Sequence, residues 1–194
     1  MSKTVAANAS HNSLHHQLHS PPALLRPATL SDLSAIHAIY GYNVVHGTAS
    51  WELQAPDAAE MQRRMTTILD QGYPYFVAEI DSVVVGYTYA SSYRPRPGYR
   101  FTVENSVYVA NGQQRRGLGR LLLGQLIDAC ATQGYRQMVA VIGDSENRAS
   151  IALHRCLGFT QVGFLPNIGF KFGRWLDSVV MQRALGEGAD SPPS

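Results

Sequence analysis

The feature that most constrains the fold is residues 101–133, a stretch in which the hydrophobic period changes once. Apolar residues alternate over 101–109, a pattern typical of a strand. Over 118–130 they recur at helical spacing, which predicts a helix with one buried stripe. A short basic segment with two glycines lies between them. We therefore expect a strand, a tight turn and a helix in direct succession.

The turn has the properties of an anion site. Gly117 and Gly119 let the backbone approach a ligand closely, and the first N–H groups of a helix lack intrahelical acceptors. Arg115, Arg116 and Arg120 add positive charge. The segment therefore predicts a phosphate-binding site, the alternative being a structural turn with solvated arginines. It has neither the Gly-Lys-Ser/Thr of a P-loop nor the GxGxxG spacing of a dinucleotide site.

Two blocks in this order resemble the GNAT superfamily of N-acetyltransferases. Gln114-Arg-Arg-Gly-Leu-Gly119 is similar to the Gln/Arg-x-x-Gly-x-Gly/Ala loop that holds the pyrophosphate of acetyl-CoA. Residues 147–159 are similar to the family's Asn…Tyr…Gly-Phe helix and following strand. Residues 102–109 and 169–177 resemble the branch that acetylates phosphinothricin and methionine sulfoximine or sulfone. The resemblance covers about 25–185.

The resemblance implies an α+β fold with α/β/α layers: a central mixed, mostly antiparallel sheet of about seven strands, flanked by about four helices. The order of helices and strands predicted from the hydrophobic pattern agrees with this fold. It predicts helices from Asp32 and Asp57, each with an N-cap pattern, and a hairpin over 75–91. We expect a proline-rich loop over 92–100 and a second long loop over 166–174.

The chain is predicted to contain one domain, residues 23–185, between two tails. Residues 1–22 are rich in Ser, Asn and His and are expected to be disordered, and residues 186–194 are expected to fray. His11, His15 and His19 follow i, i+4 spacing and could bind a metal if that segment were helical. Incidental histidines in a disordered tail are the favoured interpretation, so we expect no metal.

Composition limits the classes of partner. A net charge of +2 is too small to argue for nucleic acid. No apolar run approaches the roughly 18 residues of a membrane span, and no signal peptide is evident. Cys130 and Cys156 form no CxxC pair, which favours a reducing compartment over a disulfide or zinc framework. We expect a cytoplasmic protein that binds neither membrane nor nucleic acid.

Acetyl transfer to an amine needs a group that accepts the amine's proton. Glu104 is the carboxylate of the central strand, and the resemblance supports a base or substrate-contacting role for it. Strict alternation directs it with Ser106 and Tyr108, away from Val107, so we expect a local bulge to aim it. His154 occupies the position where many family members have a tyrosine that protonates the leaving thiolate. It could act as that acid or be a hydrogen-bonded packing residue.

The remaining site residues are implied by the resemblance. For the cofactor they are Val107, Tyr108, Val109, Arg115, Arg116, Gly117, Leu118, Gly119, Arg120, Asn147 and Cys156. For the acceptor they are Arg94, Pro95, Arg96, Glu104, Asn105, Ser106, Tyr40, Trp51 and Lys171. An arginine loop suits a carboxylate, because guanidinium binds that group in a bidentate manner. The alternatives are a solvated loop for the arginines and core packing for Tyr40 and Trp51.

Together these features predict an acetyl-CoA-dependent N-acetyltransferase that acts on the α-amine of a small amino acid analogue. Direct transfer in a ternary complex is expected, and the resemblance also implies a homodimer. The first alternative is an acetyltransferase for protein N-termini or another small amine, which an acidic acceptor groove would favour. The second is a non-catalytic acyl-CoA-binding module.

Overall fold

The protein was analysed as a computed structural model, in which residues 22–193 are described. Within this range the strands are β1 (Leu24–Pro27), β2 (Tyr75–Ile80), β3 (Val83–Ser92), β4 (Thr102–Val109), β5 (Gln137–Gly143), β6 (Thr160–Lys171) and β7 (Arg174–Ala184). The helices are α1 (Leu33–His46), α2 (Ala58–Asp70), α3 (Leu118–Thr132) and α4 (Arg148–Cys156). The predicted succession of strand, glycine turn and helix is confirmed as β4 and α3.

All seven strands form one sheet in the order β1-β2-β3-β4-β5-β7-β6. Neighbouring strands are antiparallel except β4 and β5, which are parallel. A parallel pair requires a crossover connection, and α3 supplies it. The predicted α+β architecture, with a mixed and mostly antiparallel sheet, is thereby confirmed.

Helices cover both faces of the sheet, as the layered prediction requires. On one face α1 and α2 bury Ile36 and Met65 against Tyr87 of β3. On the other face α3 buries Leu126 against Met138 of β5. Each of these five side chains has at most 1% of its surface exposed, so the apolar stripes predicted from helical spacing do face the core.

The helix starts follow from side-chain caps. Asp57 accepts a hydrogen bond from the Glu60 N–H at 2.8 Å, as the N-cap pattern before α2 predicted. Asp32 accepts one from the Thr29 N–H at 2.9 Å, which completes the predicted capping box before α1. The Asp57 cap fixes the start of α2, and the capping box closes the single 3-10 turn Leu30–Asp32 that leads into α1.

The parallel strands β4 and β5 pair over a short length only. Their register joins Thr102–Glu104 to residues 137–139, and beyond Glu104 the two strands separate. At the point of separation the Asn105 side chain donates to the Val139 carbonyl at 3.0 Å. The resulting fork opens the middle of the sheet and leaves the β5-facing edge of residues 105–109 free for a ligand.

The long loop predicted over residues 166–174 is wrong. β6 continues through Lys171, turns at Phe172 and Gly173, and returns as β7. Both turn residues have positive φ, 54° and 72°, as in the two-residue turns that match strand twist. Pro166 is tolerated because a register shift lies between Leu165 and Gly169, where the strand needs no regular ladder bond. Proline therefore marked an irregular strand and not the end of one.

The two predicted tails differ in what can be said of them. Residues 1–21, including the three tail histidines, lie outside the described residues. At the other end, Arg136 Nη1 lies 3.3 Å from Glu187 Oε2 and 3.3 Å from Ser191 Oγ. The domain boundaries at 23 and 185 and the fraying of the C-terminal segment stay predictions.

Candidate active site

Two cavities meet at the fork between β4 and β5. The larger has a volume of about 790 Å³ and the smaller about 210 Å³. Both are lined by Ala49, Val107, Asn147 and Ser150, so the cavities adjoin each other. A long ligand in the first can thus place one end beside a small ligand in the second.

The larger cavity begins at the N-terminus of α3. Gly117 caps the helix with φ of 80°, a conformation that favours glycine, and the first N–H bonded back to the Gly117 carbonyl is that of Leu121, at 3.1 Å. The helix dipole and the free N–H groups before Leu121 make this end electropositive. Of the predicted cofactor residues, Val107, Val109, Arg115, Gly117, Leu118, Gly119, Arg120 and Asn147 line the cavity.

The opposite wall combines the start of α4 with the β6–β7 turn. Asn147 caps α4 by accepting from the Ser150 N–H at 3.2 Å, and its amide donates to the Gly143 carbonyl at 3.2 Å. Phe172 and Arg174 also line this cavity, and Arg174 pairs with the buried Asp144 at 2.9 Å. Neither was selected from the sequence, because the supposed loop hid the strand alternation that directs them.

The smaller cavity contains the predicted base. Glu104 lines it together with Asn105, Ser106, Val107 and Tyr108. Burial raises the pKa of the Glu104 carboxyl above its usual range, and the charge of Arg94 opposes that shift. The expected bulge is absent from the β3–β4 pairing, which runs without a register shift. None is needed, because the cavity lies on the face toward which Glu104 and Ser106 already point.

His154 borders the smaller cavity but is held by hydrogen bonds on both sides. Its side chain is 2% exposed, with Nδ1 2.8 Å from the Ser150 carbonyl and Nε2 3.0 Å from Asn105 Oδ1. Burial lowers the pKa of His154, while the Ser150 carbonyl opposes the shift. Asn105 in turn is oriented by its bond to the Val139 carbonyl. The ring is therefore fixed in orientation at the edge of the site.

The predicted acceptor residues divide into two groups. Trp51 lines the smaller cavity. Tyr40 is buried and hydrogen-bonded to Ser50 Oγ at 3.0 Å, and the Lys171 ammonium donates to the Gly47 and Ser50 carbonyls at 2.9 and 2.8 Å. Tyr40 and Lys171 are absent from the described linings of both cavities. They lie directly behind the segment that carries Trp51.

Several other predicted residues also lie outside the two linings as described. Arg94 stacks over the Tyr93 ring at 4.8 Å from its centroid, and its loop, with Pro95 and Arg96, is exposed. The Arg116 guanidinium bonds to the side chain of Gln113 on the same turn. Cys156 is exposed near the end of α4, with Sγ 3.1 Å from the Leu153 carbonyl.

Among residues 22–193 no helix has both the length and the apolarity needed to cross a membrane. The same range contains no group of three or more His, Cys, Asp or Glu side chains arranged to hold a metal ion.

Comparison with known proteins agrees with this geometry. The sequence model of the acetyltransferase (GNAT) domain family matches residues 25–180. The chain is 51% identical to a phosphinothricin N-acetyltransferase of Alcaligenes faecalis over 162 residues, 84% of this chain and 82% of the relative. It is 44% identical to an L-methionine sulfoximine/L-methionine sulfone acetyltransferase of Pseudomonas aeruginosa over 171 residues, 88% of this chain and 99% of the relative.

Similarity extends to solved structures. A GNAT superfamily phosphinothricin acetyltransferase from Sinorhizobium meliloti, crystallised in complex with acetyl-CoA, superposes with a TM-score of 0.86. The two chains are 46% identical, and the match covers 89% of this chain and 93% of the other.

Proposed function

Because this chain belongs to the GNAT acetyltransferase family, an N-acetyltransferase family that uses acetyl-CoA, we propose that it acetylates a small amino acid analogue on the α-amine. Phosphinothricin, methionine sulfoximine and methionine sulfone are the acceptors named for its relatives. The observation that carries the proposal is the junction of the two cavities beside Glu104. One cavity suits a long phosphate-bearing ligand, and the other suits an acceptor of amino acid size.

The cofactor end of the site is matched to a pyrophosphate. The N-terminus of α3 offers free N–H groups and a positive dipole end, and Arg115 and Arg120 add guanidinium donors. Acetyl-CoA supplies the acetyl group as a thioester. The unpaired edge of Val107, Tyr108 and Val109 is oriented to hydrogen-bond its arm and to stabilise charge on the thioester oxygen.

Glu104 is the proposed base. An α-ammonium group must lose a proton before its nitrogen can attack. The raised pKa of Glu104 makes its carboxylate a stronger proton acceptor than an ordinary glutamate. The neutral nitrogen then bonds to the acetyl carbon and the C–S bond breaks. The nitrogen gives up its surplus proton, and the thiolate takes up a proton as it leaves from a ternary complex. His154, which lines the smaller cavity, is the proposed relay for that second proton. The Arg94 loop is proposed to hold the acceptor's acidic group.

The proposal is tested by thiol release from acetyl-CoA with each acceptor offered separately: phosphinothricin, methionine sulfoximine, methionine sulfone, methionine and an amino-terminal peptide. We expect turnover on the first three. Turnover on the peptide alone would assign the chain to N-terminal acetylation. Tight acetyl-CoA binding without release for any acceptor would identify a non-catalytic module.

The role of Glu104 has its own test. Glu104→Gln should lower kcat by about 10²- to 10⁴-fold while leaving the acetyl-CoA Kd nearly unchanged, since the amide cannot accept the proton. Asp81→Asn, in the exposed turn between β2 and β3, is the matched control and should leave both constants unchanged. Wild-type turnover in Glu104→Gln near neutral pH would remove Glu104 from the base role.

We also propose a homodimer. Support comes from a patch of exposed apolar side chains on the edge strand β6 and the adjoining β7, which a soluble monomer rarely presents together. We call it the hairpin patch, and its members are Val162, Phe164, Leu165, Ile168, Phe170, Phe172 and Trp175. A second copy of the chain would cover these side chains next to the site.

A cytoplasmic location completes the proposal. Both cysteines are unpaired, Cys130 buried and Cys156 exposed. Free thiols of this kind persist in a reducing compartment.

A further inference from the structure

A short segment lies between the two cavities and lines both of them. Gly47, Thr48 and Ala49 line the larger cavity, whereas Ala49, Ser50 and Trp51 line the smaller one. We call residues 47–51 the partition segment. Because thioester and amine must meet where the cavities join, the position of this segment limits how the acceptor can approach.

The partition segment is anchored through its backbone carbonyls. The Lys171 ammonium, on a side chain that is 3% exposed, donates to the Gly47 and Ser50 carbonyls at 2.9 and 2.8 Å. Between these two, the Ala49 carbonyl accepts from the Tyr108 hydroxyl at 3.3 Å. A buried ammonium is costly unless it is hydrogen-bonded, so Lys171 and the segment stabilise each other's positions.

The indole of Trp51 packs closely against two glycines, Gly143 and Gly169. A Cβ added to Gly143 at the end of β5 would lie 2.9 Å from Trp51 Cζ2 and 2.7 Å from the Thr48 carbonyl oxygen. A Cβ added to Gly169 on β6 would overlap the six-membered ring of the same indole. Glycine at these two positions therefore allows the close packing that sets the wall of the smaller cavity.

We propose that Lys171 and Gly169 are positioning residues: through the β6–β7 hairpin they fix the partition segment and place Trp51 against the acceptor. The identity of the acceptor rests on the proposed function, but the placement of Trp51 does not. Lys171 lies on β6, three strands from β4 and Glu104 in the sheet order. It thus acts through Gly47 and Ser50 and not by touching the substrate.

Tryptophan fluorescence provides a readout that is independent of turnover. The chain has two tryptophans, Trp51 and Trp175, so Trp175→Phe leaves Trp51 as the only reporter. In this background Lys171→Met keeps the length of the side chain but removes its three donors. We expect Trp51 emission to shift to the red and to be quenched more strongly by acrylamide. The acceptor KM should rise by about tenfold, with the acetyl-CoA Kd changed less than about twofold.

Gly169→Ala disturbs the same contact without removing a charge, and it keeps the proposal testable if Lys171→Met fails to fold. It should also shift Trp51 emission and raise the acceptor KM. Gly163→Ala is the matched control on the same strand, because its Cβ would lie 3.4 Å from Val180 Cβ, an ordinary contact. It should leave both readouts unchanged.

Two results would overturn the proposal. One is unchanged Trp51 emission and acceptor KM in both Lys171→Met and Gly169→Ala. The other is a collapse of kcat in Lys171→Met with emission and KM unchanged, which would assign the ammonium a direct chemical role. If the unsubstituted enzyme turns over no acceptor, the proposed function fails, while the emission of Lys171→Met still decides the placement of Trp51.

Discussion

Glu104 has no protein cation bonded to it among the described residues, and its pKa is raised mainly by burial. For an acid whose pKa is raised by folding, stability is highest below that pKa and decreases as the pH rises through it, because the buried charge opposes folding. The ionised Glu104 carboxylate therefore lowers the free energy of unfolding, because its position in the cavity buries the charge.

We predict that Glu104→Gln has a higher Tm than the wild type at pH 7.5, because the amide removes a buried charge. The difference should shrink as the pH falls through the raised pKa of Glu104, because the wild-type carboxyl then becomes neutral. Thermal melts at several pH values measure it, with Asp81→Asn as the control. A lower Tm for Glu104→Gln at pH 7.5 would mean that the carboxylate is stabilised by a partner.

The same residue predicts a pH dependence of activity. The acid limb of kcat/KM should fall with an apparent pKa above the ordinary glutamate value of about 4.3. The limb should be absent from the residual activity of Glu104→Gln. An acid limb of the same midpoint in both proteins would assign it to another group.

Asn105 connects the fork in the sheet to His154. Replacing it with leucine leaves the Val139 carbonyl and His154 Nε2 without their partner, which should cost about 1–3 kcal/mol in the free energy of unfolding. Chemical denaturation measures this change. Asn43→Leu would not be a suitable control, because Asn43 lines the larger cavity. Gln161→Leu, an exposed amide on β6, is the better control. Equal stability of the two variants would contradict the bridging role.

At the scale of elements, α3 provides charge as well as a crossover. Its N-terminus and Arg120 face the larger cavity, so Arg120→Met should weaken acetyl-CoA binding by about 10- to 150-fold, the range expected for one charge-assisted contact. Calorimetric titration measures the Kd. Arg63→Met, on the exposed face of α2, is the control. A Kd unchanged in Arg120→Met would place the phosphates elsewhere.

The β6–β7 hairpin shows how an element can act beyond its own contacts. Its turn brings Phe172 and Arg174 to the larger cavity, and Lys171 one residue earlier reaches the partition segment. Lys171 pairs with Arg174 in the register, so the two side chains share a face, and that face is turned toward both the partition segment and the larger cavity. One hairpin thereby contacts both halves of the proposed site.

At the scale of the whole molecule, the hairpin patch predicts the oligomeric state. We expect a dimer by light scattering, and Trp175→Glu, at a side chain that is 61% exposed, should shift it toward monomer by placing a charge in the interface. Val83→Glu, at an equally exposed side chain at the start of β3, is the control and should stay dimeric. If the unsubstituted protein is a monomer, the homodimer proposal is wrong and the hairpin patch would bind a different partner.

The sequence by itself determined the elements and the identity of their main chemical groups. Apolar periodicity predicted β4, α3 and the hairpin of β2 and β3, and the glycines of the turn predicted the anion site, because these signals arise from neighbours along the chain. Sequence similarity further indicated Glu104, Arg120 and Asn147. Where a local signal was ambiguous, as at Pro166, the prediction of a loop was wrong.

Tertiary structure decided which groups meet. Nothing within a few residues of Lys171 indicates that its ammonium binds carbonyls more than 120 positions earlier, or that Gly169 seats Trp51. The separation of β4 and β5 after Glu104, which opens the cavities, likewise depends on the packing of both strands. Such contacts depend on long-range burial and hydrogen bonding, which no periodic pattern in the sequence encodes.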